Sequence, residues 1–192
     1  MQIRVIAIMV TVWQAMPSTS DRVMGWNAFA IVGLAVVLAA LLLAAGIEDA
    51  RTREIANAKN AAIALLAPLW WWALGLGWTD VGVQLLVAAI VFGVFVGAFA
   101  AGWMGGGDVK MIAAISLWLP LGSLVDMLMV MAVLGGAITV LMMIDQRRRR
   151  AFGTIEVPYG VAIAAAALLV LPAILPIDGP VPAAAQVAQT RS

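Results

Sequence analysis

Long apolar runs alternate with short polar breaks along this chain of 192 residues. Six apolar segments stand out, at about 27–47, 61–77, 81–101, 109–119, 124–144 and 157–177. Five of them reach the roughly 17–25 residues that a membrane-crossing helix needs. The pattern predicts an all-α fold, a polytopic membrane bundle of about six transmembrane helices. The second segment contains Pro68, a predicted kink. The third carries Gly82 and a Gly93/Gly97 pair, whose spacing lets helices approach closely. The fourth is stopped early by Pro120-Leu121-Gly122-Ser123. At 1.5 Å per residue it cannot cross a core of about 30 Å unless its first residues start inside the membrane, which would draw Asp108 below the interface.

The ends read differently. Residues 1–26 open with Met1-Gln2-Ile3-Arg4 and a short apolar stretch, then a polar, turn-forming run from Met16-Pro17 to Asp21. Three readings stay open for them: a segment lying on the membrane surface, a removed signal, or an extension upstream of a start at Met24. Residues 178–192, rich in Pro and Ala, are expected to be a disordered tail, leaving 27–177 as the membrane domain.

Charge adds an orientation. Arg51, Arg53, Lys59, Lys110 and Arg147 to Arg150 fall in alternate connections, on one face. The opposite face carries Asp80 and Asp178, with Arg22 and Arg191 as its basic residues. By the positive-inside rule the connections bearing Asp49, Asp108 and Arg147 face the cytoplasm. Trp26, Trp78 and Trp118 then fall near the outer interface and Trp103 near the inner one. Composition agrees with a membrane protein: 65% hydrophobic and 11% charged, with a net charge of +1 that gives no sign of a nucleic-acid partner.

Composition also narrows the chemistry. The chain has no cysteine and no histidine. Disulfides, thiol nucleophiles, Ser-His pairs and His- or Cys-ligated zinc are therefore excluded, while the redox compartment stays open. Acid–base work would have to come from carboxylates, Lys, Arg or Tyr159. Two acidic sites sit at ends of apolar segments on the same predicted face: Glu48-Asp49 and the stretch Gly105-Gly106-Gly107-Asp108-Val109-Lys110. Carboxylates at membrane depth are costly and mark functional candidates. If helix packing brings Asp49 and Asp108 together, they share one proton; the ionised one activates water and the neutral one polarises a carbonyl. Such a pair hydrolyses peptide bonds without His, Cys, metal or cofactor. The three glycines permit backbone conformations that other residues resist and would let an extended substrate lie close to the loop.

Gly105-Gly106-Gly107-Asp108 resembles the GxGD signature of intramembrane-type aspartyl proteases. Asp49, followed by Arg51, Arg53, Ile55 and Asn57, resembles the first-aspartate motif of type IV prepilin peptidases: Asp, a basic stretch, then Ile-Pro-Asn. Ala56 stands where that motif often has proline. Pro158-Tyr159-Gly160 resembles the opening of that family's last span. With no cysteine for paired CxxC motifs, the chain looks like the short form, such as the Tad/Flp pilus prepilin peptidases or archaeal preflagellin peptidases. The resemblance implies an aspartic endopeptidase of the inner membrane with Asp49 and Asp108 as catalytic pair. Its partners would be lipid and prepilin or pilin-like precursors, cut at the cytoplasmic end of their hydrophobic helix. It further implies that the substrate helix could pack on the glycine-bearing face of the third segment. Lys110, Asn57 and Tyr159 are candidates for support around the pair.

Plainer roles compete. Asp49 could be a polar stop and Asp108 a helix N-cap. Glu48, Asp145 and Glu156 read as solvated charges, Lys110 and Arg147 to Arg150 as topology anchors, Tyr159 as a packed or interfacial residue, and Asp126 as an interfacial turn residue. Other classes also remain: a small transporter subunit using the acidic residues as proton or cation sites, although no inverted repeat is detectable, or a structural subunit of a secretion or pilus machine. Presenilin-like enzymes share GxGD but are longer, and their first aspartate follows tyrosine, where this chain has Glu48.

Overall fold

The computed structural model describes residues 19–149 and 158–175, so the expected N-terminal segment up to residue 18, the tail, Arg150 and Glu156 lie outside the described residues. The rest forms an all-α membrane bundle of six helices: α1 (Thr19–Thr52), α2 (Asn57–Leu74), α3 (Trp78–Ala100), α4 (Gly106–Ser116), α5 (Leu121–Arg149) and α6 (Tyr159–Val170), the last continued by a 3₁₀ turn at Leu171–Ile174. Among the described residues, three stretches are long and apolar enough to cross a membrane: Trp26–Thr52, Trp78–Ala100 and Leu121–Asp145. The polar run expected to turn near Thr19 to Asp21 is already helical.

The two shortest α-helices occupy the centre. α4 packs against α2, α3 and α6, and α6 against α1, α4 and α5. Their side chains show it: Met111, Ile112 and Ile115 on α4, and Ala162, Ile163 and Ala166 on α6, are all buried. α3, by contrast, buries only Ala88 and lies at the edge. A helix of 11 residues such as α4 is about 16 Å long and does not cross the membrane; here it is core. Close helix approaches come from glycines other than the expected pair. Gly46 of α1 faces Ala164, and Gly135 of α5 faces the Tyr159 ring, where an added Cβ would stand 3.0 and 3.1 Å from its neighbour. Gly82, Gly93 and Gly97 have no neighbour within 4 Å of an added Cβ, because α3 turns that face away from the bundle.

The C-terminal end of α4 leaves carbonyls without intrahelical donors, and side chains from two other helices supply them. Trp71 Nε1 donates to the Leu117 carbonyl at 2.7 Å. Gln84 Nε2 reaches the Ser116 and Leu119 carbonyls at 2.7 and 2.6 Å. Trp118 is not in the outer aromatic belt but buried, stacked on Trp70 at 5.3 Å and donating to the Ile63 carbonyl at 2.9 Å. Its indole N–H finds that acceptor only inside the bundle. Trp26, Trp78 and Trp103 are exposed. Gln84→Leu strands two carbonyls away from water and is expected to lower stability by about 1–3 kcal/mol, read as a fall in thermal midpoint in detergent.

Candidate active site

Asp49 lies in the last turns of α1, and Asp108 in the first turn of α4; both side chains are buried. A carboxylate removed from water needs donors, and helix starts provide them. Asp49 Oδ2 accepts the backbone N–H of Val161 at 3.1 Å, with the Gly160 amide as a second donor. Both belong to the first turn of α6, whose dipole favours negative charge, and the Val161 N–H is shared with the Pro158 carbonyl at 3.3 Å. Asp108 is the third residue of α4 and not its N-cap; its carboxylate takes the amide of Gly105, which is the N-cap. Two aspartates distant in the chain are thus set at the starts of the two central helices.

Gly160 shows how tight this is. A Cβ there would stand 2.7 Å from Asp49 Cγ and 2.7 Å from Ile55 Cδ1. Gly107 meets the same isoleucine: its added Cβ would lie 3.4 Å from Ile55 Cβ and 3.6 Å from the Ile55 amide nitrogen. Ile55, buried in an otherwise exposed connection, is wedged between the glycines that precede Asp108 and follow Tyr159. The glycine stretch therefore acts differently from the expected loop. Gly105 is extended with φ −72°, and Gly106 and Gly107 are helical. None has positive φ; they are small because Ile55, Phe99 and the Asp108 carboxylate press against them.

The connection holding Ile55 is fixed from both sides. Glu48, expected as a solvated charge, accepts from Lys59 Nζ at 2.5 Å and from the Ala56 amide at 3.1 Å. It ties the end of α1 to the start of α2, which has no side-chain cap of its own. Arg53 adopts φ 58° to make the turn. Asn60, buried, donates to the Gly107 carbonyl at 3.1 Å. Lys110 and Asn57, both expected as support around the pair, bond each other at 2.8 Å and join α4 to α2 at the exposed edge. Tyr159 packs its ring on Gly135; its neighbours Gly160 and Val161 bond Asp49. Asp126 is exposed on α5.

Asp108 lies outside the three crossing stretches. Burial, and after it the charge of the Asp49 carboxylate, pushes its pKa from 3.8 up to about 6, against the opposing pull of the Gly105 amide. The two carboxylates therefore sense each other, and the fold favours a proton on Asp108. Two buried carboxylates that share one proton can activate water and polarise a carbonyl.

Sequence pattern marked Ile55 and Gly160 only as parts of motifs and Glu48 only as a solvated charge, and it gave Val161 and Asn60 no role at the site. A lone isoleucine in a polar loop, and a glycine one residue after Tyr159, were the available signals. No curated protein and no solved structure matches the chain. A family model described as the type IV leader peptidase family matches residues 36–145, a stretch that includes both aspartates and Ile55 but ends before Gly160. That match spans more than half of the sequence, and with it this membrane protein belongs to the type IV leader peptidase family.

Proposed function

We propose that the protein is an aspartic endopeptidase that removes the leader of prepilin-like precursors at the cytoplasmic face of the inner membrane, with Asp49 and Asp108 as its catalytic pair. The observation that carries this reading is the burial of both carboxylates at one site, each facing the start of a central helix. Asp49 in its ionised form removes a proton from water, and the resulting nucleophile attacks the scissile carbonyl. Asp108 donates its proton towards the carbonyl oxygen, and collapse of the tetrahedral intermediate returns a proton to the departing amine. The amides of Gly160 and Val161 keep the base aimed. The basic residues Arg51, Arg53 and Lys59 on the same side support the cytoplasmic placement.

The test is co-expression with candidate prepilin-like precursors, scoring leader removal by mobility shift and mass. Shortening of at least one precursor by its basic leader is expected. If membranes containing the intact protein shorten none of them, the proposal fails.

A further inference from the structure

A groove of about 580 Å³ opens between α2 and α3, with α4 as its floor. Ala61 and Ala64 line one wall, Ala88, Ala89 and Phe92 the other, and Ala113 the floor. On each of the three helices the lining spans about two turns, roughly 11 Å. Small residues on every side let another helix bring its backbone close, which is how helices associate where lipid removes the hydrophobic drive. One end of the groove is polar, with Asn57, Asn60 and Lys110. That end adjoins the site, because Asn60 holds the carbonyl of Gly107, the residue before Asp108.

Asn60 supplies the second observation. Its side chain is 4% exposed, and while its Nδ2 is bonded to Gly107, its Oδ1 has no donor. A buried acceptor left open points to a missing partner with an N–H. An acyl chain has none. The first turn of a helix has up to four backbone N–H groups without intrahelical acceptors.

We infer that this groove seats the first turns of the precursor's apolar membrane helix, with the free amides of that helix meeting Asn60 Oδ1 beside the cleavage site. The inference rests on the leader-peptidase reading above. It moves the substrate from the Gly93/Gly97 face of α3 to the alanine face of the same helix. The scissile bond, just before the bound helix, then falls at the Gly107–Asp108 end.

The absence of cysteine makes cross-linking a clean test. Single variants Ala64→Cys and Ala89→Cys face the groove; Leu86→Cys and Val94→Cys lie on exposed positions of α3 outside it. Each is first checked for membrane accumulation and for its thermal midpoint in detergent, which establish folding. Each is then combined with Asp108→Asn, so that substrate stays whole, and oxidised in membranes with a precursor carrying one cysteine in the first two turns of its apolar helix. Disulfide yield at 64 and 89 is expected to exceed that at 86 and 94 by about tenfold or more, and Ala89→Trp to raise KM for the membrane-anchored precursor by a similar factor. Equal yields at all four positions, higher yields at the outer pair, or an unchanged KM in Ala89→Trp overturn the inference and leave the groove to lipid or another chain. Cleavage by the unaltered protein separates the two readings: if it cleaves and the groove variants behave like the outer ones, only the groove assignment falls, whereas no cleavage of any precursor removes both.

Discussion

Asp49→Asn and Asp108→Asn are each expected to cut leader removal by at least about a thousandfold, the scale of a lost general acid or base, while the protein still accumulates in the membrane. Stability should also respond at Asp108. The fold raises the Asp108 pKa from 3.8 to about 6, so the folded state binds that proton more tightly than the unfolded chain. The stabilisation linked to it is complete below about pH 4 and is lost as pH rises through about 6, a contribution on the order of 3 kcal/mol. Asp108→Asn should therefore flatten the dependence of the thermal midpoint on pH between 4 and 7, and at pH 7 be at least as stable as the original protein. Asp49→Asn keeps an oxygen that can accept from the start of α6, so the variant should still accumulate while losing the general base. Leader removal in co-expressing cells and thermal unfolding in detergent at several pH values measure both. Near-normal processing by either variant would rule out the pair as the catalytic machinery.

The second large effect is expected at Gly160. Even alanine there puts a methyl group 2.7 Å from both Asp49 Cγ and Ile55 Cδ1. Neither neighbour can retreat easily: Asp49 is held by backbone amides, and Ile55 is pressed on its other side by Gly107. Overpacking of this kind costs about 1–3 kcal/mol. Displacing a catalytic group by about 1 Å can lower turnover by about a hundredfold. Gly160→Ala should therefore lose activity well beyond its loss of stability. Gly97→Ala, facing open space on α3, should change neither. Equal activity in the two variants would show that the start of α6 does not position Asp49.

The apolar runs announced most of the bundle, because hydropathy is a local property of each segment. Asp49 and Asp108 were legible for a related reason: ionisable residues at ends of apolar runs are scarce, and the glycines beside Asp108 marked the place. The reason for those glycines was not legible. For Gly107 it depends on Ile55, which is some 50 positions away in the chain and approaches only when the helices pack together. Trp118 shows the same limit: a tryptophan two residues before a proline at a predicted membrane edge suggests the interface, yet a carbonyl at Ile63 draws it inside. Glu48 resembled any surface acid until Lys59 and the Ala56 amide closed on it. Pattern located the groups that carry charge; the small and apolar residues that aim them depend on long-range contacts.

The bond from Val161 to Asp49 links positions 112 residues apart. During synthesis, α1 to α5 and both aspartates are therefore made before the amides that orient Asp49 exist. The nascent chain passes through most of its insertion with the Asp49 carboxylate lacking these donors, alongside whatever apolar helices share the translocon. Arrival of α6 is then the assembly step that completes the Asp49 cradle, so the orientation of Asp49 waits on α6 and not on the appearance of the two aspartates.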